Sequence, residues 1–200
     1  MSTRHAAVIL AGGHARRMGG VPKPELILEG RSLLRRVLDA VPLASPRVVV
    51  GDVVSRDFVV TVEDVPDAGP AYAAAAGLTH VPEGVPMVAL LAADLPFLTS
   101  DVIAAMLEAV ADSHDGATLV DHAGRRQWLC GVWRQAALRE ALSDVKPGTA
   151  LRGPLGGLST AEVDWLDSDL PPWFDCDTPA ALEYARSLVA EFPNDRNPTA

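Results

Sequence analysis

The chain has 200 residues, 48% of them hydrophobic and 22% charged, with 16 glycines and 16 prolines, which suits one compact core and excludes disordered and collagen-like classes. A formal net charge of −9 opposes the broad basic surface that DNA or RNA binding requires, and no uninterrupted apolar run reaches the roughly 18 residues of a membrane span. Two distant cysteines, Cys130 and Cys176, support neither a disulfide framework nor a cysteine-built zinc site, so both are expected to be small buried hydrophobes in a cytoplasmic protein with no nucleic-acid or membrane partner.

In chain order, AAVILA (6–11) is a continuous apolar run ending in glycines, the pattern of a strand buried on both sheet faces. A helix is expected from Ser32 as N-cap through Leu38, stopped by Pro42. RVVVGD (47–52) and FVVTVED (58–64) read as strands, and Gly69-Pro70 opens an alanine-rich helix to His80. MVALLAAD (87–94) is the most hydrophobic strand, followed by a helix capped by Thr99 or Ser100 and running to Val110. ATLV (117–120) and QWLCGVW (127–133) are later strands, Ala136 to Leu142 a short helix, and Pro179 to Ala190 a last one. This alternation implies an α/β fold, a mostly parallel sheet with helices on both faces. It forms one domain over 1–191, and the polar, proline-broken FPNDRNPTA (192–200) is a frayed tail.

Charge is unevenly distributed. Residues 1–36 carry seven basic side chains against two acidic ones. Arg31, Arg35 and Arg36 suit a solvated helix face, but Arg16, Arg17 and Lys23 lie in the glycine-rich LAGGHARRMGGVPK (10–23), directly after the first strand. Consecutive glycines let main-chain N–H groups converge on an anion, so this is read as a phosphate loop. It ends in neither GK[ST] nor GxGxxG, which argues against Walker-type ATPases and dinucleotide oxidoreductases. Arg16 or Arg17 can fork onto two phosphate oxygens, and Lys23 supplies a point charge for a departing phosphate. His14 in the same loop, and His5, His80, His114 and His122 elsewhere, have no metal-ligand spacing and read as surface residues.

Asp94 ends the apolar strand and faces the same crevice. It reads either as an Mg²⁺ ligand, since that ion needs one or two carboxylates besides water and phosphate, or as a turn residue before Pro96. In FDCDTP (174–179), Asp175 and Asp177 are read as facing opposite sides, so that only one shares the site of Asp94, and Asp177 also reads as a helix N-cap. Trp128 on the later strand is a candidate cover for a flat heterocycle. Arg125 and Arg126 either meet an acceptor phosphate or cap a hairpin.

LAGG, ARRMGG and Lys23, followed by ADLPFL and a late DCDTP, resemble the molybdenum cofactor guanylyltransferases of the MobA-like nucleotidyltransferase superfamily, over nearly the whole chain. The resemblance implies a Rossmann-like three-layer α/β sandwich and transfer of GMP from GTP to the phosphate of molybdopterin or another small phosphorylated acceptor, with Mg²⁺ and release of pyrophosphate. It implies nucleotide contacts from Leu10, Ala11, Gly12, Gly13, Arg16, Arg17, Lys23, Gly51, Asp64 and Asp94. Arg17, Lys23 and Asp94 would serve catalysis, and Asp94 and Asp177 would hold the metal. Nothing in the sequence requires more than a monomer. Three positions depart from the family pattern: GPAYA (69–73) replaces GPLAG, Gly51 stands where a polar residue is usual, and Trp128 stands where proline is common. CTP as donor, GTP with a phosphorylated small acid, and a nucleotide-binding regulatory module are the alternatives; LAGG rather than LAAG favours guanine.

Overall fold

The computed structural model describes residues 4–12, 17–18, 21–110, 113–165 and 168–192, with backbone alone for Arg17, Met18 and Val21. Seven strands form the central sheet: β1 (His5–Leu10), β2 (Arg47–Val50), β3 (Val59–Thr61), β4 (Met87–Ala92), β5 (Gly116–Val120), β6 (Arg126–Arg134) and β7 (Thr160–Asp164). Their spatial order is β7-β5-β6-β4-β1-β2-β3. All neighbours run parallel except β6, which is antiparallel to both β4 and β5. The helices are α1 (Leu33–Ala40), α2 (Pro70–Leu78), α3 (Ser100–Ala109), α4 (Gln135–Ala141), α5 (Arg152–Leu155) and α6 (Pro179–Glu191). Among the described residues, no helix is long and apolar enough to cross a membrane.

Strand alternation divides the core into two layers. Ala7 and Ile9 of β1, with Ala89 and Leu91 of β4, pack under Leu34, Val37 and Leu38 of α1 and Val102, Ile103 and Met106 of α3. Ala6, Val8, Val88 and Leu90 face the other way, against Ala71, Ala74 and Leu78 of α2 and Leu138 of α4. Every one of these strand residues is buried, which is why the sequence of β1 and β4 is apolar without alternation. Helix α2 lies so close that a methyl on Gly77 would stand 2.5 Å from Val8 Cγ1 and 2.8 Å from Val50 Cγ2.

Helix caps follow short polar side chains: Ser32 Oγ accepts from Arg35 N, Thr99 Oγ1 from Val102 N, and Thr178 Oγ1 from Ala181 N. Capping of α6 by Thr178 corrects the reading of Asp177 as an N-cap and leaves that carboxylate for other work. Strand β3 is shorter than the expected 58–64 and ends at Thr61, so residues 62–69 become a loop. Strand β7 is absent from the sequence reading because TAEVD is a partly exposed edge without a clean apolar face. His5 is buried in β1, against the expectation of a surface residue, because a histidine beginning a central strand is enclosed by its neighbours.

From β1 the chain crosses to β2 on one side, and from β3 it returns through α2 to β4 on the other. The order therefore reverses at β1, and a crevice opens beyond the carboxyl ends of β1 and β4, where such sheets hold ligands.

Candidate active site

A cleft of about 630 Å³ fills that crevice, floored by Leu10, Ala11 and Gly12 after β1 and by Ala93 and Asp94 after β4. The strand ends are fastened to each other: Ala11 N donates to the Val50 carbonyl at 2.8 Å, and Ala93 N to the Leu10 carbonyl at 3.0 Å. Gly12 beyond them is exposed, and among the described residues no atom stands within 4 Å of where a Cβ on it would be. Lys23 opens a single 3-10 turn, Lys23–Glu25, whose buried Pro24 anchors it beside this floor.

The Lys23 ammonium stands between two carboxylates. Its Nζ donates to Asp94 Oδ2 at 3.5 Å and makes a short hydrogen bond to Asp177 Oδ1. Burial works against the charge on Lys23, but the Asp177 hydrogen bond and the two negative charges outweigh it and hold the ammonium above the ordinary lysine value. Burial raises the Asp94 carboxyl against the pull of Lys23. Asp177 lies on the opposite course, held low chiefly by its hydrogen bond to Lys23. Partial burial, then the hydrogen bond to and the charge of Asp177, push the Asp175 carboxyl up to about 6.

Asp175 and Asp177 therefore face the same cleft, which corrects the expectation that they diverge. Residues two apart along an extended segment share a side, and the residue between them points away. Here Cys176 is that residue, fully buried among Leu26, Leu28 and Leu33. Both cysteines are buried as expected, and burial pushes each thiol up to about 12, so neither is a nucleophile at neutral pH.

Charged side chains of both signs line the cleft: Glu63 and Asp67 from the loop after β3, and Arg126 and Arg152 from β6 and α5, with Trp128 beside Arg126. Trp128 stacks on the buried Trp133 at 6.3 Å between ring centroids and 18° between planes, and Arg126 Cζ lies 5.7 Å from the Trp128 ring centroid. Arg126 is also paired with Glu162 at 2.8 Å.

Residues 7–152 match the MobA-like NTP transferase domain. The chain belongs to this family. It is 32% identical to a molybdenum cofactor guanylyltransferase of Bradyrhizobium sp. (strain ORS 278), over 94% of this chain and 95% of that one. Among solved structures, the molybdopterin-guanine dinucleotide biosynthesis protein A of Archaeoglobus fulgidus superposes with a TM-score of 0.69 at 19% identity, over 94% of this chain and 99% of that one. A 4-diphosphocytidyl-2C-methyl-D-erythritol synthase of Anaerococcus prevotii gives a TM-score of 0.67 at 11% identity, over 94% and 97%. Enzymes titled for guanine and for cytidine nucleotides share this fold, so the fold alone does not choose the base.

For this family member, the structure brings Leu10, Ala11, Gly12, Lys23, Asp94 and Asp177 to one cleft. Gly13, Arg16 and the side chain of Arg17 lie outside the described residues. Gly51 and Asp64 do not line the cleft. A methyl on Gly51 would meet the Ala11 backbone at 2.9 Å, so this glycine serves the close approach of β2 to the floor. Asp64 Oδ1 accepts from the Tyr72 hydroxyl at 2.9 Å on the exposed rim. Sequence reasoning passed over Glu63 and Trp173 as cleft residues, which enter from loops and turns where periodicity carries no signal, and Arg152, which opens the four-residue helix α5, too short for a periodic pattern; only the alternation of Asp175 with Asp177 could have placed Asp175 here.

Two carboxylates close enough to share one ammonium fit a hard divalent cation. Among the described residues no group of three or more His, Cys, Asp or Glu converges for metal binding. Mg²⁺ needs no such cage, since one or two carboxylates with substrate phosphates suffice.

Proposed function

We propose that this protein transfers the guanylyl group of GTP to the terminal phosphate of molybdopterin, with Mg²⁺, and releases pyrophosphate. The observation that carries the reading is Lys23 set between Asp94 and Asp177 at the carboxyl ends of β1 and β4, in a chain whose full-length relatives are named for this reaction.

The charged side chains of the cleft orient the substrates. The base lies by the loop after β3, the triphosphate runs over Gly12 to Lys23, and the acceptor phosphate meets Arg126 and Arg152 with its flat ring system against Trp128. Gly13, Arg16 and Arg17 are assigned to the phosphates from the sequence alone. Asp94 and Asp177 would hold Mg²⁺, which supplies neutralisation of the phosphate charge when bound. Lys23 adds a mobile positive charge where the pyrophosphate forms, and main-chain amides near Gly12 hold the phosphates in line. An ionised oxygen of the acceptor phosphate forms the new bond to the α-phosphorus, the α–β anhydride bond breaks, and its electron pair leaves on pyrophosphate. No general base is needed, because the attacking oxygen carries no proton at neutral pH.

Pyrophosphate release with each of the four nucleoside triphosphates, with and without molybdopterin, tests this reading. Release with GTP and acceptor together is expected; release independent of the acceptor, or none, overturns it.

A further inference from the structure

We propose that Thr118 is a positioning residue for the acceptor: its hydroxyl pins a bulge in β6 that brings Gln127 to Cys130 to the cleft, while Asp121 holds the outer end of the same bulge. The inference rests on the guanylyl-transfer reading and deepens its acceptor half.

The register of β6 on β5 carries it. Gly131 pairs with Thr118, and Arg126 with Val120, so Gln127, Trp128, Leu129 and Cys130 together stand opposite Leu119 alone. A regular strand sends alternate residues to one face, yet these four consecutive residues all line the cleft. Extra residues in one strand of an antiparallel pair bend it and re-aim its side chains, a device found beside active sites. Here the bulge is what gives the cleft its β6 side.

A bulge of this size takes main-chain carbonyls out of the ladder, and a buried carbonyl left unpaired is costly. Thr118 is fully buried in β5, and its Oγ1 donates to the Gln127 carbonyl at 2.8 Å, with the Cys130 carbonyl at 3.2 Å. Those are the first and last residues of the bulge. Among the described residues the hydroxyl has no other partner but the adjacent Leu119 carbonyl, at 3.4 Å. At the outer end, Asp121 in the turn from β5 to β6 accepts from Ala123 N and Arg125 N through Oδ1, and from Gln127 Nε2 through Oδ2 at 3.2 Å. Gln127 Nε2 also donates to the Arg125 carbonyl at 3.2 Å. Both amide hydrogens are thereby used, and Oε1 remains as the acceptor that Gln127 can offer to the N–H donors of a pterin.

This network is separate from the one that holds Lys23 and Asp94, whose partners are Asp177 and the Cys176 backbone. Slack in the bulge is therefore felt by the acceptor and not by the nucleotide.

The test is pyrophosphate release by the full chain at saturating GTP against molybdopterin concentration, with equilibrium GTP binding alongside, in wild type, Thr118→Val, Thr118→Ser and Asp121→Asn. Valine keeps the shape without the hydroxyl, serine keeps the hydroxyl, and asparagine keeps Oδ1 for the turn but removes the acceptor used by Gln127. Thr118→Val is expected to raise the KM for molybdopterin about tenfold, with kcat within about threefold and GTP affinity within about twofold of wild type. Thr118→Ser is expected to restore the KM to within about threefold, and Asp121→Asn to raise it about threefold. A wild-type KM in Thr118→Val overturns the proposal, and so does a loss shared equally by GTP affinity or not restored by serine, since each marks a threonine that serves the fold alone. Where Thr118→Val folds, it decides; where it does not, Asp121→Asn decides, and an unchanged KM there overturns the proposal. Wild type without acceptor-dependent release overturns the guanylyl-transfer reading and this inference with it, whereas normal release in wild type with an unaltered KM in the deciding variant overturns this inference alone.

Discussion

The backbone N–H of Cys176 donates to the carbonyl of Asp94 at 3.1 Å, tying the end of β4 to a segment more than 80 residues later in the chain. With the Cys176 side chain sunk in the core under α6, that single bond aims Asp175 and Asp177 back over Asp94. The acidic half of the site is thus assembled from two distant stretches, and Lys23, from a third, neutralises it.

Replacing Lys23 removes the only cation that the described side chains set between these carboxylates. Charge-assisted contacts of this kind contribute about 1.5–3 kcal/mol, and 1.36 kcal/mol is a factor of ten, so Lys23→Ala should slow pyrophosphate release at least about tenfold. Normal turnover in that variant would remove Lys23 from the mechanism.

The two metal-side carboxylates should not be equivalent. Asp94, largely enclosed just beyond the end of β4, is expected to lose about a hundredfold or more in turnover on change to Asn. Asp177 is exposed, and Asp177→Asn is expected instead to raise the Mg²⁺ concentration for half-maximal rate by about tenfold while largely sparing the rate at saturating metal. Chelation should abolish turnover in both and in wild type. Titrations of rate against Mg²⁺ decide it: unchanged metal dependence in both variants would remove the pair as ligands.

Asp175 gives the folded protein a pH dependence of known sign. Its carboxyl rises from the ordinary 3.8 to about 6, so between those values the folded state binds the proton more tightly than the unfolded chain. This group's contribution to stability therefore falls as pH rises through that window and is fully unfavourable at pH 7. Asp175→Asn is expected to raise the unfolding midpoint of the metal-free protein at pH 7 and to lose that advantage near pH 4. A gain that is larger at pH 4 than at pH 7 would contradict the assignment.

Gly77→Ala tests the packing that carries the site. The added methyl meets Val8 and Val50 on adjacent central strands, and overpacking of this kind costs about 1–3 kcal/mol. The urea midpoint should drop accordingly. Because α2 presents Ala73 and Pro70 to the cleft, affinity for the nucleotide should weaken in the same variant; an unchanged midpoint would mean that the helix shifts freely.

Much of the scaffold was legible because it depends on local chemistry. Apolar runs too continuous for a half-exposed sheet mark β1 and β4, and Ser32 and Thr178 mark helix starts. The cleft positions of Lys23 and Asp94 follow from charge placed just beyond the ends of those strands. The shortened β3 and the edge strand β7 were not legible, since Thr160–Asp164 shows a partly exposed mixed pattern and Val62 to Asp64 continues the look of a strand after its partner has ended.

Residue type and spacing along the chain were enough to determine a layered α/β fold, because propensity, capping and burial periodicity act over a few neighbours. Which carboxylates share a site, that Asp64 turns to Tyr72 while Glu63 lines the cleft, and that arginines from β6 and α5 share that cleft with acids from the loop after β3, were decided by tertiary structure alone. Those relations join residues from 8 to more than 80 positions apart, and the longer ones are set only by the crossing of strands at the point where their order reverses.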